Sequence, residues 1–133
     1  MSSMPAGWND DMAFAASEHA YLLHSEGCYD ESLALFEGLL DLYPGNAYYM
    51  DAIAALYLAL DRPESSVRIT TELLREDPSN VQALVRRSEA YISLRMSREA
   101  EADIQQLRRL GARDDASRMA MRLLASRGAG LLP

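Results

Sequence analysis

A spacing of 34 residues constrains this 133-residue chain more than any other feature. Aligned at that interval, Pro44 falls on Pro78, Phe36 on Thr70 and Ile104, and Leu39 on Leu73 and Leu107. Ser32, Ser66 and Ala100 form a column of small residues, and Ala20, Ala54 and Ser88 form another. Leu23 falls on Tyr57 and Tyr91. Self-similarity at such a period means stacked supersecondary units, none of which buries its apolar face alone.

Each window, 13–46, 47–80 and 81–114, predicts two helices. The first helix of each shows apolar residues at a 3.6 period: Phe14, Ala20 and Leu23; Ile53, Ala54, Leu56, Tyr57 and Leu60; Leu84, Tyr91 and Leu94. The second runs over about 30–43, 64–76 and 98–110. Gly27, Asp61-Arg62-Pro63 and Met96-Ser97 separate the two, with Pro63 suited to a first helical position and Ser97 to an N-cap. Pro44-Gly45-Asn46 and Pro78-Ser79-Asn80 separate the windows, and "SNVQ" from Ser79 to Gln82 matches a capping box. The small columns mark where two antiparallel helices approach closely. The Phe36 and Leu39 columns fill the space between neighbouring hairpins. After Gly111 a further helix is expected, with Asp114 and Asp115 favourable at its N-terminus.

The expected architecture is all-α: a helical solenoid of three helix-turn-helix repeats plus a C-terminal capping helix. Residues 1–11 are expected to be flexible, with Trp8 able to fold back on the first hairpin. Residues 12–127 make a single domain whose cap helix spans 115–127, and 128–133 form a tail.

Charge narrows the function. The net charge is −7, but residues 1–61 hold ten acids and no Lys or Arg, while 62–133 hold ten acids and thirteen arginines. Without a basic surface, nucleic-acid binding is not expected. No apolar run approaches the roughly 20 residues of a membrane helix. No Lys or Arg precedes Arg62, so no signal-peptide n-region is expected. Cys28 is the only cysteine, which rules out an internal disulfide and suits a reducing compartment. His19, His24 and Cys28 lie close in sequence, but two ligands do not close a zinc site, and HExxH and paired CxxC motifs are absent. Without a phosphate loop, a GxSxG elbow or a Ser/His/Asp set, neither catalysis nor a cofactor is expected.

The frame resembles the tetratricopeptide repeat (TPR) family. Ala20, Gly27, Tyr29, Ser32, Phe36, Leu39 and Pro44 carry the match in the first window. Ala54, Tyr57, Ser66 and Pro78 carry it in the second, which departs at Asp61, Pro63 and Thr70. Ser88, Tyr91 and Ala100 carry it in the third, which lacks the closing proline. The match covers about 100 of the 133 residues. It implies a concave groove lined by the first helices, with a protein partner. The implied groove residues are Phe14, Ser17, Tyr21 and His24, with Glu18 and Ser25; then Tyr48, Asp51, Ala55 and Leu58, with Ala52 and Ala59; then Gln82, Val85, Arg86, Glu89 and Ile92, with Ser93. Leu58 and Ile92 suit the core equally well.

Chaperone adaptors of this family that grip acidic C-terminal tails use a clamp of Lys, Asn and Arg; at the matching positions only Arg86 fits. Small acidic bacterial members, the type III secretion chaperones, are more similar. The likeness rests on "GCYDESLALFEGLLDLYP" from Gly27, the tyrosine Tyr48 after the proline, and the run from Arg87 to Glu101. It implies a cytoplasmic chaperone that holds a translocator or a needle- or filament-type subunit by an apolar peptide or helix before export, with a co-chaperone as a second possible partner. The alternative is a generic scaffold or adaptor subunit of a multiprotein complex.

Overall fold

The computed structural model describes residues 4–131, with side chains described through residue 126. Among them are seven helices and no strand: an all-α helical-repeat solenoid. Its contacts gather into two compact units, residues 1–61 and 62–133. The boundary falls in the turn that the sequence places inside the second repeat.

The first unit holds α1 (Asp10–Ser25), α2 (Tyr29–Leu42) and α3 (Ala47–Ala59). Helix α1 packs on α2, and α2 on α3. Asn9 caps α1 by accepting from the Met12 amide, and Asn46 caps α3 by accepting from the Tyr49 amide at 3.0 Å. The α1–α2 approach shows why the small columns exist. Ala20 and Ser32 are both fully buried, and the Ser32 hydroxyl donates to the Ala20 carbonyl at 2.7 Å. A longer side chain at either position would push the backbones apart. Phe36 and Leu39 are buried beside them.

The second unit holds α4 (Pro63–Glu76), α5 (Val81–Ser93), α6 (Ser97–Arg109) and α7 (Asp115–Leu131). Helix α5 packs against α4, α6 and α7. This explains why Ala83, Leu84, Val85, Ser88, Ala90 and Ile92, spread over more than one face, are all buried. The Arg87 guanidinium grips Asp103 on α6 through Nε to Oδ2 at 2.8 Å and Nη2 to Oδ1 at 2.6 Å. It also donates from Nη1 to Thr71 Oγ1 on α4 at 3.3 Å. The bond to Asp103 is the main reason that the guanidinium's pKa is raised. Asp114 begins α7, accepting from both the Ser117 amide and hydroxyl, and these bonds hold its carboxyl below the usual range.

Local details differ from the sequence reading. The cap of α5 is Asn80, accepting from the Ala83 amide at 3.0 Å, whereas the Ser79 amide turns back to Asp77 Oδ1. The cap of α6 is Met96, which leaves Ser97 as its first residue. Here Arg95 and Met96 complete the end of α5, so the new helix starts at once. Pro63 is the first residue of α4, as expected. Helix α7 continues to Leu131, past the expected end at 127. Residues 132 and 133 of the expected tail lie outside the described residues, as do residues 1–3 of the N-terminus.

One repeat column emerges that the sequence hides. Gly27, Asp61 and Arg95 are 34 residues apart, and all three have positive φ, at 82°, 57° and 59°. Their amides donate to His24, Leu58 and Ile92, each at 3.1 Å. The hairpin bend is left-handed each time, although glycine occupies it only once.

Candidate functional site

The first unit carries an aromatic cleft of about 350 Å3. Its lining comes from α1 (Asp10, Ala13, Phe14, Ser17), from the turn after α2 (Tyr43, Asn46) and from the start of α3 (Tyr48, Tyr49). The rings support one another. Tyr21 meets Phe36 edge-on at 5.0 Å and Tyr48 edge-on at 5.7 Å. Tyr49 closes the set against Phe36 at 6.2 Å, Tyr43 at 6.1 Å and Tyr48 at 6.4 Å. Such offset and edge-on pairs hold each ring's orientation. A polar chain closes one end: Trp8 Nε1 donates to the Tyr43 hydroxyl at 3.0 Å, and that hydroxyl donates to Asp10 Oδ1 at 3.1 Å. Trp8 thus folds back on the first hairpin.

Phe36 is 1% exposed, whereas Phe14 and Tyr48 at the cleft are 66% and 64% exposed. Burying an aromatic ring is worth roughly 1.5–3 kcal/mol. Two large rings left in water beside a cleft therefore form a surface that gains by being covered. Burial first, then the neighbouring Tyr43, Asp10 and Tyr48, push the Tyr49 phenol above its ordinary pKa of 10.0, so it stays protonated at neutral pH. The polar atoms lining the cleft are hydroxyls, an amide and the Asp10 carboxyl; no cation lines it.

The structure sorts the expected groove residues one by one. Phe14 and Tyr48 are exposed at the cleft, and Tyr21 is half-buried between Phe36 and Tyr48. Ser17 lines the cleft but is buried, its hydroxyl spent on the Phe14 carbonyl at 2.8 Å. His24 is half-buried and tilted against Tyr29 at 5.5 Å. Asp51, Ala55 and Leu58 on α3 are half-buried, and so are Arg86 and Glu89 on α5; Gln82 is exposed. Val85 corrects the expectation, and Ile92 takes the core place that suited it equally well. They are 1% and 3% exposed and belong to the core around α5, which is enclosed by three helices. The sequence reading missed Asp10, Tyr43, Asn46 and Tyr49; the doubled tyrosine in "GNAYYM" was the available signal for Tyr49 alone. Among the described residues, no three His, Cys, Asp or Glu side chains gather as metal ligands do. None of the described helices is long and apolar enough to cross a membrane.

A second cleft, of about 490 Å3, lies within the second unit between α4, α5 and α6. Leu74, Leu84 and Ala102 line it together with Arg75, Arg109 and the Arg87–Asp103 pair.

Hairpins on a 34-residue register with small residues at the helix approaches give the chain a TPR-like fold. Particular likenesses agree. The first TPR domain of human RPAP3 superposes with a TM-score of 0.81 at 20% identity, over 92% of this chain and 97% of that one. PcrH from Pseudomonas aeruginosa superposes with a TM-score of 0.76 at 21% identity, over 98% and 96%. PcrH is also known in complex with the chaperone binding region of PopD, and the first TPR of Spaghetti (RPAP3), similar to this chain with a TM-score of 0.78 at 19% identity, with the HSP90 peptide SRMEEVD. In sequence, bovine DnaJ homolog subfamily C member 3 is 31% identical over 90 residues, 65% of this chain. The matched region is only 18% of that protein's length. No protein-family model matches the chain.

Proposed function

We propose that this protein is a cytoplasmic bacterial chaperone that holds a type III secretion substrate, a translocator or a needle- or filament-type subunit, until export. The carrying observation is the exposed Phe14–Tyr48 pair over the cleft of the first unit. An apolar segment of an aggregation-prone client would cover both rings and, while bound, be kept from its own partners. The near end-to-end likeness to PcrH, whose complex contains a client region, supports this choice. A second reading, a scaffold or adaptor subunit, is supported by the likeness to RPAP3 and DnaJ homolog subfamily C member 3. An acidic peptide of the kind bound to RPAP3 is disfavoured at this cleft, because residues 1–61 contain no Lys or Arg to receive its carboxylates.

The test is a pull-down from the native organism with the intact protein and with Phe14→Ala/Tyr48→Ala, read by mass spectrometry. Both side chains are mostly exposed, so helicity by circular dichroism is expected to be unchanged. The chaperone reading expects one small secreted protein, lost in the variant. Recovery of the same cytoplasmic set by both proteins would favour the adaptor.

A further inference from the structure

The charges around the cleft specify its occupant further. Resting on the reading above, we propose that the held segment is cationic, presenting an arginine or lysine beside its apolar residues to the Phe14 and Tyr48 rings and to Asp10 and Glu18. On α1, Asp10, Phe14 and Glu18 are successive i, i+4 positions, so a carboxylate flanks the exposed ring on either side along one helix face. Asp10 lines the cleft and Glu18 is exposed. No Lys or Arg of the unit faces them, since residues 1–61 hold ten acids and neither cation.

An exposed ring with a carboxylate beside it suits a guanidinium or ammonium. The ring face attracts the cation, the carboxylate pairs with it, and the long methylene stem lies over apolar surface. A neutral apolar segment would cover the rings but bring no cation to the carboxylates. An acidic segment would meet like charge along the whole unit.

Three labelled peptides test this by fluorescence anisotropy on the full chain: a leucine-rich helix carrying arginines, the same helix with glutamines in their place, and the same with glutamates. The arginine peptide is expected to bind about tenfold more tightly than the glutamine peptide, and the glutamate peptide more weakly than either. That preference should vanish near ~1 M salt, where charges are screened within about 3 Å. It should also vanish in Asp10→Asn/Glu18→Gln, which keeps the shape of the cleft. Equal binding of the arginine and glutamine peptides overturns the proposal while leaving the apolar reading of the cleft intact, as does no binding of the arginine peptide when the glutamine peptide binds. Loss of the preference to the same degree in Glu31→Gln/Glu37→Gln, on exposed positions of α2, also overturns it, because the attraction would then be a diffuse field. Unchanged binding of the glutamine peptide by Phe14→Ala/Tyr48→Ala overturns the reading of the cleft itself.

Discussion

At Arg95, φ is +59°, a conformation in which a side chain with a Cβ costs about 1–2 kcal/mol. The equivalent bend at Gly27 avoids that cost. Replacing Arg95 by glycine relieves the strain but loosens the unfolded chain by roughly 0.5–1 kcal/mol. The net expectation is a stabilisation of about 0.5–1 kcal/mol, read as a higher thermal midpoint. Glu89 is a second residue held at a cost. Burial raises its pKa above the ordinary 4.5, only partly opposed by Arg86. The folded state therefore binds the Glu89 proton more tightly than the unfolded state does. At neutral pH the ionised carboxylate makes folding less favourable, and that penalty fades as pH falls through the raised pKa towards 4.5. Glu89→Gln is expected to raise the thermal midpoint at pH 7, and its advantage should shrink in melts taken at successively lower pH. A constant advantage would mean that charge is not the cause.

At the level of elements, the helices were legible because their spacing comes from packing. Ala20, Ala54 and Ser88 are all fully buried, and so are Ser32, Ser66 and Ala100. A position that admits only small residues leaves a mark even in one sequence. Ala54→Leu is accordingly expected to destabilise the protein by roughly 1–3 kcal/mol in chemical denaturation, because added methylenes in a filled contact force the backbone to shift. An unchanged midpoint would mean the small column does not mark a close approach. Less legible was which apolar residues on the first helix of a hairpin face outward. Phe14 and Val85 both fall on implied groove positions, three places apart in the 34-residue frame, yet one is 66% exposed and the other 1%. Phe14 aligns with the exposed Tyr48 and Gln82, and Val85 with the buried Ser17 and half-buried Asp51, so enclosure follows the place in the frame, which the implied groove list did not separate. Turn chemistry was also partly hidden. The bend at Arg95 is set by the geometry of the two flanking helices and not by the residue, so no glycine marked it.

For the molecule as a whole, the division of charge is the feature most relevant to function. Every Arg lies in the second unit, and the aromatic cleft lies in the unit that has none. A fold shared with both PcrH and RPAP3 does not choose a partner. Under the proposal above, the cleft's rings and carboxylates distinguish a basic apolar client from an acidic tail. The bond from Trp8 to Tyr43 adds an optical consequence. Trp8 is the only tryptophan, and its indole N–H is tied to a hydroxyl that lines the cleft. Emission excited at the red edge of the protein's absorption therefore comes from the first unit alone. Unlabelled chain can then be followed by its own luminescence, with the spectrum shifting when the cleft is occupied and again when that unit melts, while the arginine-bearing unit remains dark.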